Sequence, residues 1–301
     1  MRKLKYILPV FLGLLFFRAQ AQQDPVIGQY QFNQMMFNPA YAGAGEVTSF
    51  DLQVRKQWLG LDGSPTTALL SGNSSLYNKY MAAGFTLVYD EVGINQNTDF
   101  FGAYSYAINF SETVKLSFGL QAGFTSFNYN YSKLNLDDVT DADFTEAPSG
   151  FVRPNFGTGF FLAGPKFYLG LSVPRMLDSS DKNGNEVYRK HYYVSGGFIL
   201  EPFIDLKIKP YFLLRYINPE SNSIEIGSNF LLSQVVWVGV NTRNLNTVGM
   251  MFTVLFSNIR AGYSGEFLSD GLAPSIYSTH EIYVGVDLAF FNNTLKQIRL
   301  Y

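Results

Sequence analysis

Two histidines, His191 and His280, are the side chains in this sequence best suited to acid–base chemistry near neutral pH. A hydrolase needs a serine beside such a histidine and a polar group to orient it. Ser275 and Ser278 lie close to His280 in the sequence. A hydrolase is therefore one hypothesis, although the chain has no G-x-S-x-G sequence. Each histidine begins a predicted strand, and we favour a structural role for both, so the sequence predicts a protein that is not an enzyme.

Residues that bind metals are sparse. Zinc sites use cysteine and clustered histidine, and this chain has no cysteine and two distant histidines. The stretch NLDDVTDADFTE, residues 135–146, has carboxylates that suit Ca²⁺ but lacks the glycine and ligand spacing of an EF-hand. We interpret it, like residues 179–190, as an exposed loop. No glycine loop leads from a strand into a helix to hold phosphate. The sequence therefore predicts no cofactor and no metal.

The N-terminus has the pattern of a secretory signal peptide. A positive start is followed by an apolar run over residues 7–17 and by Ala19-Gln20-Ala21, which is a typical cleavage sequence. We predict a signal peptide over residues 1–21 and a mature chain that begins at Gln22. The alternative is an uncleaved anchor, but the apolar run is shorter than the ~20 residues that a membrane-spanning helix requires.

Charge and composition exclude one class of partner and favour another. Without the four basic residues of the signal peptide, 18 basic residues remain against 24 acidic ones, a net charge of about −6. A protein that binds nucleic acid would have a basic face, so we predict no nucleic-acid partner. The aromatic fraction is 17% and the charged fraction is 15%. This composition suits strands that contact lipid.

Apolar residues alternate with small or polar residues along three clear runs, KLSFGLQAGF (115–124), TVGMMFTVLF (247–256) and HEIYVGVDLAF (280–290). Each is close to the roughly 9–11 residues of a transmembrane β-strand, whereas soluble strands commonly have about 5–6. Turn signals divide the chain into fourteen predicted strands, near 47–57, 65–75, 81–90, 98–109, 114–129, 152–163, 166–174, 191–202, 206–216, 223–232, 235–243, 247–256, 259–267 and 279–291.

The connections between these strands alternate in length. Every even-numbered connection is short, and the odd-numbered ones are longer, including EVGINQ at residues 91–96. Outer-membrane barrels have short periplasmic turns and longer outer loops. The sequence thus predicts an all-β protein, a transmembrane antiparallel β-barrel of about 14 strands and of the outer-membrane type. A soluble protein of two β-sheets is the alternative. The predicted barrel occupies residues 47–301, preceded by a separate segment over residues 22–46.

Two motifs near the start of the mature chain, QFNQMMFNPAYAG (31–43) and RKQWLGLDGSPTT (55–67), resemble the opening of the PorP/SprF family of type IX secretion outer-membrane proteins. Further pieces follow in the same order as in the family, at 84–93, 169–177, 189–198, 209–216 and 278–290. The positions that carry the resemblance, which we take as family-motif and partner-docking candidates, include Asn33, Gln34, Asn38, Pro39, Ala40, Tyr41, Gly43, Arg55, Gln57, Trp58, Gly60, Pro65, His191, Tyr192, Arg215, His280 and Glu281.

This resemblance implies a function in the outer membrane without catalysis or cofactor. Members of the family assist the secretion or surface attachment of cargo proteins and, in some bacteria, gliding motility. The partners implied are outer-membrane lipid, the periplasmic and outer-membrane components of type IX secretion, and secreted or surface-anchored cargo.

The residues themselves suggest where partners would bind. Residues 22–46 precede the first strand, so they are expected at the periplasmic mouth or inside the lumen, as a plug that also offers a docking surface or as a structural plug only. Trp58 belongs either to the aromatic girdle at the membrane interface or to a surface that meets cargo. A passive porin or small-solute channel is the alternative function. Tyr283, Trp237 and Met251 at inward positions favour a filled lumen over an open one.

Overall fold

The computed structural model describes residues 27–76, 80–133, 150–180, 184, 186–217, 222–268 and 278–289. The predicted signal peptide, the acidic stretch 135–146 and Ser275 lie outside these residues. In the described part of the chain, no helix is long and apolar enough to cross a membrane.

Fourteen antiparallel strands form the wall of a barrel in the described residues. We number them β1 Thr48–Lys56, β2 Thr66–Ser75, β3 Met81–Val92, β4 Asn95–Asn109, β5 Lys115–Tyr129, β6 Phe151–Ala163, β7 Phe167–Val173, β8 in two parts (Tyr192–Phe198 and Leu200–Phe203), β9 Leu206–Tyr216, β10 Ser223–Leu232, β11 Val236–Arg243, β12 Thr247–Phe256, β13 Ile259–Leu268 and β14 Thr279–Leu288. Two short strands, Ser179–Ser180 and Glu186–Tyr188, form a hairpin between β7 and β8.

The first and last strands close the barrel. β1 pairs with β14 over its whole length, from Thr48 opposite Leu288 to Lys56 opposite His280. Every other strand pairs with its neighbour in sequence, including β7 with β8 and β8 with β9. Closure leaves no long unpaired edge. The predicted fold class, an antiparallel barrel of about 14 strands, is therefore confirmed.

The wall is apolar outside and polar inside. On β1 the exposed outward side chains are Phe50, Leu52 and Val54, whereas the buried inward ones are Asp51, Gln53 and Arg55. This arrangement is the reverse of a soluble β protein and is typical of membrane barrels. It follows from the alternation of side chains along a strand, which the sequence shows directly.

The connections differ in length between the two ends, and one prediction about them was wrong. We call the end with residues 76–80, 110–114 and 164–166 the short-turn end, and the opposite end the long-loop end. The third connection was predicted as a longer loop at the long-loop end but contains only Gly93 and Ile94 between β3 and β4. Gly93 has φ +59°, and glycine at the first position of a two-residue turn permits this tight reversal.

Residues 27–46, which we call the plug, lie inside the barrel. The plug contains three 3₁₀ turns, Tyr30–Phe32, Gln34–Met36 and Pro39–Tyr41. A fourth short 3₁₀ turn, Tyr131–Lys133, follows β5. The plug begins near the long-loop end, where Gly28 contacts Glu281, and reaches the short-turn end at Gly43, beside Ser75. The core of this protein therefore lies in the lumen.

Candidate functional site

Two asparagines fix the local fold of the plug. The Asn33 side chain accepts a hydrogen bond from the Met35 backbone N–H at 3.3 Å, and the Asn38 side chain accepts one from Ala40 at 3.0 Å. Each asparagine caps a short 3₁₀ turn, satisfying a backbone donor that the turn leaves free. Pro39 begins the last turn, where its missing N–H costs nothing. These contacts explain the Asn and Asn-Pro spacing of the motif at 31–43.

Aromatic side chains of the plug pack against different sides of the wall. Phe32 stacks on Tyr283 of β14, with ring centres 5.5 Å apart and planes at 12°. On the opposite side, Phe37 stacks on Tyr193 of β8 at 5.4 Å. These inward aromatic residues fill space that a barrel of this size would leave to water.

Tyr30 and Tyr41 complete the aromatic packing of the plug. The Tyr41 ring meets Phe161 of β6 edge-on at 5.5 Å, and the Tyr30 ring meets Tyr211 of β9 edge-on at 5.9 Å. Burial, and then the nearby charge of Glu225, raises the pKa of the Tyr30 hydroxyl well above its ordinary value. This phenol therefore stays neutral.

Two glycines of the wall make room for the plug. A Cβ atom at Gly119 of β5 would lie 2.1 Å from the Ala40 nitrogen, and one at Gly159 of β6 would lie 2.2 Å from the Asn38 side-chain oxygen. Nothing in the sequence separates these glycines from others that serve ordinary strand packing. Because they have no side chain, these two glycines allow the plug to approach the wall closely.

Replacing Gly119 by leucine is expected to displace the plug, because the new side chain would overlap the backbone of Ala40. Proteinase K should then cleave within residues 27–46 of the folded barrel. Gly102→Leu on β4 is the matched control, since beyond its chain neighbours the nearest atom to a Cβ at this position is the Ala122 carbonyl oxygen at 4.0 Å. Equal cleavage of the two variants would contradict this role of Gly119.

A cluster of charged side chains holds the end of the plug that lies near the long-loop end of the barrel, which we call its upper end. Glu281 of β14 accepts hydrogen bonds from the backbone N–H groups of Gly28 at 2.8 Å and Gln29 at 2.9 Å. Arg55 of β1 lies 3.5 Å from Glu281 and 2.7 Å from Glu266 of β13. These charged side chains are almost completely buried, so the pairing must compensate their desolvation.

The cluster continues along the inner face of the wall. Arg243 of β11 pairs with Glu266 at 3.1 Å and with Glu225 of β10 at 3.0 Å. It thereby links strands β10, β11 and β13 at the level of the plug's upper end. The motif residue Arg55 is thus one member of a network that crosses the seam between β1 and β14.

A second buried network supports the aromatic contact of Phe32. The Tyr283 hydroxyl donates to Asp51 at 2.7 Å and accepts from the Arg260 Nε at 2.7 Å. Arg260 also pairs with Asp51 at 3.0 Å and with Asp287. The network fixes the Tyr283 ring against which Phe32 stacks.

Hydrogen bonds also hold the lower end of the plug, which lies at the short-turn end of the barrel. The Ala42 carbonyl accepts from the Ser105 hydroxyl at 2.7 Å, and the Gly43 carbonyl accepts from the Ser75 hydroxyl at 3.0 Å. Below them, Glu46 pairs with Lys115 at 2.6 Å. The plug is therefore anchored at both ends and along its length.

The predicted site residues separate into distinct places. The motif residues of the first stretch belong to the plug and are buried, apart from Gly43 at its lower end, and Arg55 meets Glu281 above them. Gln57, Trp58, Gly60 and Pro65 lie in or next to the β1–β2 loop at the long-loop end. The buried motif residues have intramolecular contacts here, and their role in binding a partner stays a prediction.

The remaining candidates lie on or next to β8, β9 and β14. His191 is buried, and its Nδ1 lies 3.1 Å from the Tyr188 hydroxyl. Tyr192 is exposed on the outward face, Arg215 faces the lumen, and His280 faces outward next to Glu281. Sequence reasoning did not single out Glu266, Arg243, Glu225, Arg260 or Asp51. Their only signal was a charged residue at an inward position of an otherwise alternating strand.

Two cavities border the plug in the described part of the barrel. A cavity of about 50 Å³ lies between the plug and the long-loop end, bordered by Ile27, Phe37 and Arg215. A larger cavity of about 360 Å³ lies at the short-turn end, where Ala42 and Glu46 face Ala107. The plug separates the two cavities.

A closed barrel with an apolar outer face and a polar, filled lumen defines the class of this protein as an outer-membrane β-barrel. A family model described as the type IX secretion system membrane protein PorP/SprF matches residues 19–286. The chain therefore belongs to the PorP/SprF family. Its family and fold are those of a membrane barrel of a secretion system and not of a known enzyme family. In this class the short turns face the periplasm and the long loops face outward.

Comparison with solved structures gives distant likenesses. The CymD monoaromatic hydrocarbon channel has a TM-score of 0.52 and 14% identity, with 88% of this chain and 94% of that chain covered. The outer membrane protein Omp33 of Acinetobacter baumannii has a TM-score of 0.47 and 8% identity, with 81% and 100% covered. The Pseudomonas putida toluene transporter TodX has a TM-score of 0.46 and 10% identity, with 89% and 94% covered. No curated protein sequence matches the chain. The likeness to CymD shows the fold alone.

Proposed function

We propose that this protein is a protein-binding component of type IX secretion that assists the export or surface attachment of cargo proteins and, in bacteria that glide, motility. The observation that carries this proposal is the family match over residues 19–286. The proposed partners are periplasmic and outer-membrane components of the secretion system, and the cargo itself. The secretion role requires no catalytic group.

The filled lumen supports binding over passive transport. A porin needs a continuous water-filled path, whereas the plug here contacts the wall on opposite sides of the barrel. Cargo would then meet the extracellular loops. In the β1–β2 loop, Trp58, Leu59 and Leu61 are exposed and supply an apolar contact surface.

The proposal is tested by comparing the surface and supernatant proteomes of a deletion strain and its complemented parent. We expect a defined subset of proteins with type IX C-terminal signals to be lost from the surface and retained in the periplasm. An unchanged set of exported proteins, together with reduced uptake of small solutes, would instead identify a channel.

A further inference from the structure

Three polar side chains meet on the outward face of the barrel near its extracellular end. The Ser278 hydroxyl lies 2.7 Å from the Nε2 of His280, and the Nδ1 of His280 is hydrogen-bonded to the hydroxyl of Tyr263. Ser278 and His280 share a face because side chains alternate along the chain into β14. Tyr263 lies on the same face of β13, diagonal to His280 in the strand register.

This arrangement has the elements of a nucleophile activated by a base. A histidine that accepts the serine proton on Nε2 must carry its own proton on Nδ1, where the Tyr263 oxygen accepts it. A hydrogen-bonding group at Nδ1 orients the ring and selects this tautomer. In such an arrangement the nucleophile would be Ser278, the general base His280, and Tyr263 a positioning residue.

The surroundings of Ser278 and His280 combine a cation with apolar surface. Lys56 lies directly opposite His280 in the register of β1 and β14, so both side chains share the outward face. The Lys56 ammonium donates to the Ser64 carbonyl and to the Thr66 hydroxyl, each at 2.9 Å. An ammonium has three donors, and in the described structure this leaves one for a substrate oxygen.

The apolar part comes from the wall and from the β1–β2 loop. Ile282, the next outward residue below His280, is 61% exposed and faces lipid. Above, the Leu59 N–H donates to the Ser278 carbonyl at 2.9 Å, which places the exposed residues Trp58 and Leu59 beside the serine. The polar group therefore lies where the lipid-facing wall meets the extracellular loop.

We propose that Ser278, His280 and Tyr263 form an esterase site for an acyl ester of an outer-leaflet lipid. The Ser278 oxygen attacks the ester carbonyl carbon, and His280 takes the serine proton and delivers it to the leaving alkoxide. Water then cleaves the acyl-serine ester, so that one ester and one water give a fatty acid and an alcohol. Lys56 holds the lipid head group or the developing oxyanion. This activity goes beyond the secretion role and departs from the prediction that the chain is not an enzyme.

The purified full-length protein, in detergent and in vesicles, tests this site. A fluorophosphonate probe should label Ser278, as mapped by mass spectrometry, and hydrolysis of p-nitrophenyl butyrate should fall about 100-fold or more in Ser278→Ala and His280→Ala. Tyr263→Phe should lower kcat and leave KM unchanged, which a general packing defect would not do. Ser257→Ala, in the periplasmic turn between β12 and β13, is the matched control and should keep full activity.

Two lipid substrates identify the source of the ester. Vesicles of phosphatidylethanolamine test a glycerophospholipid, and lipopolysaccharide micelles test the acyl esters of a glycolipid. Absence of probe at Ser278, or hydrolysis of neither lipid by a folded protein, would overturn the proposal. The result is independent of the secretion role, because secretion is scored separately in a strain that carries Ser278→Ala.

Discussion

Deletion of residues 27–43 is expected to turn the closed barrel into a conducting pore. The plug is the element that separates the periplasmic cavity from the extracellular one, and its aromatic side chains occupy the centre of the lumen. A barrel of fourteen strands without it has an interior too wide for wall side chains alone to fill. Planar-bilayer recordings should show stepwise conductance for the deletion protein and none for the complete chain.

The control for this deletion locks the plug in place. Asn33 donates to the Ser71 hydroxyl at 2.8 Å, so cysteines at these two positions can be joined by a short thiol-reactive cross-linker. The natural chain has no cysteine, which makes the engineered pair unambiguous. The cross-linked Asn33→Cys, Ser71→Cys protein should remain closed. A folded deletion protein that does not conduct would show that another part of the chain closes the barrel.

Replacing Arg55 by alanine is expected to destabilise the barrel strongly. Within the described structure, Arg55 is the cation that contacts Glu281, and it forms two hydrogen bonds with Glu266. Its loss leaves buried carboxylates with less compensation, a change that costs about 3–5 kcal/mol for buried pairs. Urea unfolding in vesicles should therefore show a free energy of unfolding lower by that amount.

Tryptophan fluorescence can follow this change at the plug. The chain has two tryptophans, and a Trp58→Phe background leaves Trp237, which lies 6.2 Å from Phe32 between ring centres. Adding Glu281→Gln to Arg55→Ala should recover part of the lost stability, because it removes one uncompensated charge. Lys166→Ala, which breaks an exposed pair with Glu201, should change little. Equal effects of Arg55→Ala and Lys166→Ala would contradict a structural role for the buried cluster.

The barrel could be predicted from local patterns because each strand carries its own evidence. The alternation of apolar and polar residues in β5, β12 and β14 predicts which side chains face lipid. The short connections predict which end of the barrel faces the periplasm. Tight turns were harder to locate, since β3 and β4 continue to within two residues of each other through Gly93. Polar residues near that turn resemble loop residues because they lie at the aqueous rim.

The lumen could not be predicted to the same depth. The sequence left open whether the segment before β1 lies at the mouth or inside, and the plug, residues 27–46, lies inside. Partners such as Arg55 and Glu266 are 211 residues apart, and their meeting depends on how the strands are staggered around the closed barrel. No local sequence pattern predicts how far each strand is shifted relative to its neighbours. The contact between Ser278 and His280 could be predicted from the sequence, because residues two apart share a face of a strand.

The contacts between Glu281 and the start of the plug also determine the order in which this protein can assemble. The plug is synthesised before any strand, yet the carboxylate that holds Gly28 lies 253 residues later in the chain. Tyr283, the stacking partner of Phe32, belongs to the same final strand. Contacts this distant in sequence form late, because the chain must first overcome the entropic cost of closing a very long loop. The plug is therefore synthesised before the strands but fixed after them. A barrel that lacks β14 has lost both its closing strand pair and the contacts that hold the plug in the lumen.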